Sequence, residues 1–259
     1  MSDVSVLFNK YYYLTIFVIA KNRLSRMYKD SYLGMLWTLL QPISQILIYA
    51  IVMPRIMRFP SEQYVPFLIS SLLLWSFINN VIIAGSAALV NNAEIIKRCT
   101  VSKTIFPLSE LAQYLYNFVI SFFIMYAFST VMYSSFHITI LLLPLYMIPV
   151  LITLGAVSIA LSFITPYLKD FKEIITVGLN FAFWATPIVY PITVFPEEKQ
   201  FIFFFNPFYI LIRPISTLIY SGELPSSMDM LRLFVLMLIS IAGSYFIYSK
   251  LRRNFIYYL

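Results

Sequence analysis

The sequence predicts an all-α integral membrane protein: six transmembrane helices, an N-terminal amphipathic helix in the membrane interface, and short re-entrant helices between spans five and six. Three observations carry this expectation. Of the 259 residues, 61% are hydrophobic and 11% charged, with a mean hydropathy of +0.83, whereas soluble domains carry about 25% charged residues. The uncharged runs are 23 to 58 residues long, enough to cross a bilayer core of about 30 Å once or twice. The basic residues gather in alternate gaps between those runs, the signature of membrane topology. The chain reads as one domain over 1–259, with an interfacial segment at 1–30, the spans at 31–249 and a tail at 250–259.

The apolar run Tyr11 to Ala20 is too short to span. It is followed by Lys21 and Arg23 rather than by a small-residue cleavage site, so it is not a cleavable signal peptide. Its aromatic residues and basic flank fit a helix lying in the interface. The first span is placed in the 24 uncharged residues from Ser31 to Pro54. There Gly34, Thr38, Gln41, Gln45 and Tyr49 fall within about 80° of one helix face. Such a stripe forms either a helix-helix seam or the wall of a polar conduit, and Pro42 predicts a kink or break.

The second span, at about 65 to 86, aligns Ser71, Trp75, Asn79 and Ser86, and a short amphipathic loop, Asn91 to Lys103, follows it. The 58 residues from Leu111 to Leu168 carry no formal charge apart from a possible one on His137. They make room for spans at about 106 to 131 and 139 to 164, with Glu110 at the first boundary in reach of water. After a second polar loop, Pro166 to Glu173, the 23 uncharged residues from Ile174 to Pro196 form the expected fifth span, with Thr176, Asn180, Trp184, Pro187 and Pro191 in line. From Glu197 to Asp229 the apolar pieces are too short to cross and are punctuated by Asn206-Pro207, Arg213-Pro214 and Gly222, which suggests re-entrant helices. A last span runs from about Leu231 to Ser249.

With the N-terminus inside, the inner segments hold 13 of the 18 Lys and Arg residues, placing both termini in the cytoplasm. The net charge of +7 is spread over these short segments, and no basic domain exists to take nucleic acid. Cys99 is the only cysteine, so no intrachain disulfide forms. The six glycines never produce a phosphate-binding G-x-x-x-x-G-K-[ST] loop, there is no H-E-x-x-H, and no carboxylates pair within a span. Catalysis needs convergent titratable groups; none is expected here, and no bound metal or cofactor.

The stretch carrying Tyr28, Lys29, Ser31, Leu33, Gly34, Leu36, Trp37, Leu40 and Pro42 resembles the opening of the permease subunits of ABC-2 type polysaccharide exporters, which move O-antigen, teichoic acid or capsule chains. Asn92, Ala93, Ile96, Lys97 and Arg98 resemble that family's N-A-x-x-I-K-[KR] loop. Lys169 to Phe171 resembles its basic-Asp-apolar signature, with Lys169 where Arg is commoner. Thr186 to Pro191 and Asn206-Pro207-Phe208 match its fifth span and outer re-entrant region.

The resemblance implies a homodimeric permease in the bacterial cytoplasmic membrane. It also implies a separate ATP-binding cassette ATPase that holds ATP and Mg, and a lipid-linked polysaccharide as cargo. The alternatives are an ABC-2 permease for a drug or small lipid, or a membrane glycosyltransferase or polymerase. ATPase coupling is expected at Asn92, Glu94, Ile95, Ile96, Lys97, Arg98, Lys169 and Asp170, with the pair Ile95 and Ile96 docked in a groove of the ATPase. Interfacial belts and lipid-facing packing account for most of the aromatic content of 18%, and some rings are left to line a conduit. Flat rings stack on sugar faces without trapping charge, so Tyr49, Trp75, Phe181, Trp184 and Tyr190, with Gln41 and Gln45, are the expected channel lining.

Overall fold

A computed structural model of the chain describes residues 10–28, 36–57, 61–99, 101–134, 136–168, 170–252 and 255–259. Among these residues it is helical, with no strand. In chain order the helices are α1 (Lys10–Tyr28), α2 (Leu36–Met57), α3 (Ser61–Ala87), α4 (Ala93–Arg98), α5 (Ile105–Tyr133), α6 (Leu143–Ile164), α7 (Phe171–Ala185), α8 (Glu197–Gln200), α9 (Pro207–Tyr220) and α10 (Ser227–Leu251).

Among the described residues four segments are long and apolar enough to cross a membrane: Tyr64–Ala87, Ile105–Tyr133, Ile138–Tyr167 and Ser227–Leu251. A fifth is added if Glu197–Phe205 and Pro207–Tyr220, bent by 106° at Asn206, count as one broken span. The first expected span is helical over Leu36–Met57 and runs through Pro42 without a break. The fifth is corrected: α7 has only 15 residues and ends at Ala185, about 22 Å at the usual rise. Pro187 is the cause, because a proline pushes the preceding residue out of the helical region, and Thr186 is extended.

Helix α3 is the centre of the bundle, packed on α2, α5, α6, α7 and α9. It is apolar almost all round, as a buried helix must be, and its fully buried polar residues are the serines Ser70, Ser71 and Ser86. Ser70 and Ser71 hydrogen-bond through their hydroxyls to Ser216 of α9, at 2.9 and 3.1 Å. At Gly85 a Cβ would lie 2.5 Å from Ser158 Oγ of α6, so the two helices cross at a contact open only to a small residue.

At the other edge of the bundle α1 lies on α5. Tyr12 is buried and bonds Thr104 at 2.7 Å between hydroxyl groups, and Arg23 forms an ion pair with Glu110. Glu110 is therefore not in water as expected but enclosed, at 8% exposure. Tyr11, Tyr13 and Phe17 stay exposed on the opposite face of α1.

The irregular region between α7 and α10 is held by side chains. Asn206 donates its amide to Ala185 O (3.2 Å) and Thr186 Oγ1 (2.9 Å), closing the end of α7, while its Oδ1 accepts from the backbone N–H of Phe208 (2.9 Å) and caps the start of α9. Gly222 ends the following turn at φ +70°, and a Cβ there would collide with the ring of His137. Both the backbone conformation and the contact require glycine.

Candidate functional site

Two regions gather the residues that the sequence singles out. The first is the polar segment after α3. Asn92 donates its side-chain amide to Ala88 O at 2.7 Å, tying the turn to the end of α3. One turn of helix, α4, then separates two kinds of side chain. Ile96 is 6% exposed and packs with Leu89, Phe106 and Phe163, and with Phe255 near the C-terminus. Glu94, Ile95, Lys97, Arg98 and Cys99 are exposed.

The expected apolar pair is thus divided. Ile96 belongs to this chain's own core and is not free to enter a partner's groove, while Ile95, at 50% exposure, is. Asp170 is exposed at the start of α7, and its side chain makes no capping hydrogen bond. Lys169 lies outside the described residues. Phe163, which packs with Ile96, precedes Asp170 by two short turns, so both polar segments lie at one end of the bundle.

The second region is an aromatic cluster. The ring of Phe183 lies 6.3 Å from Tyr49, 5.7 Å from Trp75 and 5.2 Å from Trp184, and Trp75 lies 5.4 Å from Phe208. Tyr190 donates its hydroxyl to Trp184 O at 2.7 Å, and Tyr64 donates to Val189 O at 2.6 Å. Tyr49, Trp75, Trp184 and Tyr190 are therefore brought together, but around a residue that was not singled out. Phe183 stands next to Trp184 in sequence and three residues after Asn180, so it borders the polar line chosen on α7. Phe208 sits in the Asn206-Pro207-Phe208 stretch, which the resemblance assigns to the outer re-entrant region and not to the channel lining.

Within this chain Trp75 is enclosed, at 7% exposure, so its ring is a support beneath the cluster rather than an open wall. Trp184 is the exposed ring, at 57%. Phe181 is 74% exposed and takes no part in the ring contacts above; with Ile174, Val177 and Trp184 it forms an exposed stripe along α7. Gln45 is half-buried, and Gln41 is exposed at a polar cavity between α2, α3 and α5. The cluster presents ring faces and hydroxyls, and no charged side chain takes part in the contacts above. Such a surface suits stacking on apolar faces without electrostatic trapping.

A bundle of helices long and apolar enough to cross a bilayer, with one short polar helix held at its end, is an integral membrane protein. The chain belongs to the ABC-2 type transporter family, whose pattern matches residues 15–220. Its relatives include two O-antigen export system permease proteins RfbA from Klebsiella pneumoniae. One is 25% identical over 98% of both chains and the other 26% identical over 96% of both. The RfbA permease of Myxococcus xanthus is 23% identical over 92% of both chains.

Proposed function

We propose that this chain is the permease of an ATP-driven exporter that moves a lipid-linked, O-antigen-like polysaccharide across the bacterial cytoplasmic membrane. It works as a homodimer with both termini in the cytoplasm, and two copies of a separate ATPase supply the nucleotide chemistry. The observation that carries this reading is the end-to-end similarity to O-antigen permeases together with the construction of α4. Because Ile96 is wedged among Phe106, Phe163 and Phe255, a push on the exposed face of α4 reaches the start of α5, the end of α6 and the C-terminus as one body.

Six crossings remain compatible with the geometry. Helix α2, at 22 residues, reaches about 33 Å. The short α7 continues into Thr186, Ile188 and Val189, which are fully buried. Irregular backbone at membrane depth is tolerated where protein covers it. The exposed stripe on α7 is the face we assign to the second copy, which would set Trp184 on the conduit.

Deleting the gene should abolish surface polymer, and restoring the chain should recover it. In the assembled complex the exposed Cys99 should crosslink to cysteines placed on the ATPase. Surface polymer that persists in the deletion strain would remove the export function. Crosslinks that form from Lys172→Cys but never from Cys99 would move coupling to the second polar segment. For the conduit, Trp184→Phe should retain export and Trp184→Ala should lower it severalfold at equal membrane abundance. Equal, normal export by both would leave Trp184 a packing residue.

A further inference from the structure

Helix α5 carries a polar ridge that neither the α4 contact nor the aromatic cluster uses. Glu110, Gln113, Asn117 and Ser121, spaced three, four and four apart, share one helix face and are 8%, 3%, 9% and 6% exposed. Glu110 is neutralised by Arg23. Further along, Gln113 Oε1 and Asn117 Oδ1 are buried and accept no hydrogen bond. Buried amide oxygens are paired in nearly all folded proteins, so an orphan in a well-packed bundle calls for a missing partner.

Asn117 borders a cavity of about 390 Å³ between α2, α3 and α5. Small-molecule sites span roughly 300–1,000 Å³. Gln41, Ser76, Asn80 and Ser121 add amides and hydroxyls to its wall, and Trp37 and Tyr114 add rings. Trp37 is 58% exposed and stands at the mouth. No lining residue is charged, which disfavours a phosphate, a carboxylate or a cation as the occupant. Water alone could satisfy Asn117 but would have no use for the rings. The chemistry that uses both parts of the wall is an uncharged ring bearing several hydroxyls and an apolar C–H face.

We propose that this cavity binds one or two uncharged sugar residues, within a single protomer and in addition to any conduit between protomers. The proposal rests on the polysaccharide-export reading. The amides exchange hydrogen bonds with the hydroxyls of a passing sugar, Asn117 foremost, while Trp37 stacks on its face. The neutral wall lets it leave again.

The test separates binding from packing. Asn117→Leu keeps the side chain's shape and removes an unpaired buried oxygen, so it should melt at the same temperature as the parent or higher. If Asn117 only packs, export is then unchanged. If it holds a sugar, loss of a hydrogen bond to an uncharged partner should weaken binding about fivefold, with export falling at equal membrane abundance. Binding is read by quenching of Trp37 fluorescence in a Trp75→Phe, Trp184→Phe background, titrated with the delipidated polysaccharide released by mild acid from the same strain. Trp37→Ala, at an exposed position, gives a second reading should Asn117→Leu fail to fold, and Trp37→Phe should restore export. Normal export and unaltered quenching in Asn117→Leu, or normal export in Trp37→Ala, would overturn the site while leaving the export function standing. A wild-type copy that fails to restore surface polymer overturns both.

Discussion

Asp229→Ala is expected to destabilise the purified protein by about 2–3 kcal/mol and to loosen the packing of α9 on the start of α10. The carboxylate of Asp229 is 8% exposed and serves three partners at once. Its Oδ2 accepts from Arg213 Nε at 3.1 Å and from Ser226 Oγ at 2.8 Å, and its Oδ1 accepts from Arg232 Nη1 at 3.1 Å. Both guanidinium groups lie over the ring of Phe204, at 5.0 and 4.3 Å from its centre. Without the carboxylate, two positive charges are left on one ring. Removing one partner of a buried ion pair costs about 3–5 kcal/mol, but the two arginines are each about one-third exposed, and water screens part of that loss. The Ser226 hydroxyl that caps α10 by accepting from Asp229 N remains. Thermal melting in detergent reads the loss, and Arg213→Met with Arg232→Met in the same chain should recover most of it. An Asp229→Ala variant that melts with the parent would show that the cluster is held by ring stacking alone.

This cluster was not legible in the sequence. Arg213, Asp229 and Arg232 look like three separate charges in a region of short apolar pieces; the 106° bend at Asn206 sets Phe204 against α9, and the turn through Gly222 brings the start of α10 back beside α9. What was legible is what depends on local composition: helical class, the second, third, fourth and last spans, and the amphipathic character of α4. The end of α7 was within reach too, since Pro187 forbids a regular helix at Thr186, but an uncharged run from Ile174 to Pro196 outweighed it. The aromatic cluster was half legible. Tyr49, Trp75 and Trp184 come from three helices, and their common neighbour Phe183 is set by how α7 rotates against α2 and α3. Helical periodicity assigns residues to faces of one helix, but it cannot say which face meets which neighbour. That is why Phe181, a reasonable choice on composition, stays exposed and outside the ring contacts of the cluster.

The division of Ile95 from Ile96 leads to opposite phenotypes for two adjacent substitutions. Ile96→Ala opens a void among Leu89, Phe106, Phe163 and Phe255, and large-to-small changes of this kind cost about 2–5 kcal/mol. With Ile96 only 6% exposed, we expect about 3 kcal/mol, seen as lower membrane abundance and a lower melting temperature with or without the ATPase. Ile95→Ala touches no such core, because half of the side chain is already exposed, so abundance and melting should match the parent. Its effect should appear only in the complex. If Ile95 is the apolar anchor on the exposed face of α4, with Lys97 and Arg98 at the rim, truncation removes roughly 2 kcal/mol of contact, close to a thirtyfold loss of affinity for the ATPase. Polymer export and transport-stimulated ATP hydrolysis should fall with it. Truncating both residues together would confound a folding defect with an uncoupling defect, so the single substitutions are the informative pair. An Ile95→Ala chain with parental affinity for the ATPase would take the anchor away from α4, and an Ile96→Ala chain that is fully stable yet uncoupled would mean that α4 turns over when the ATPase binds.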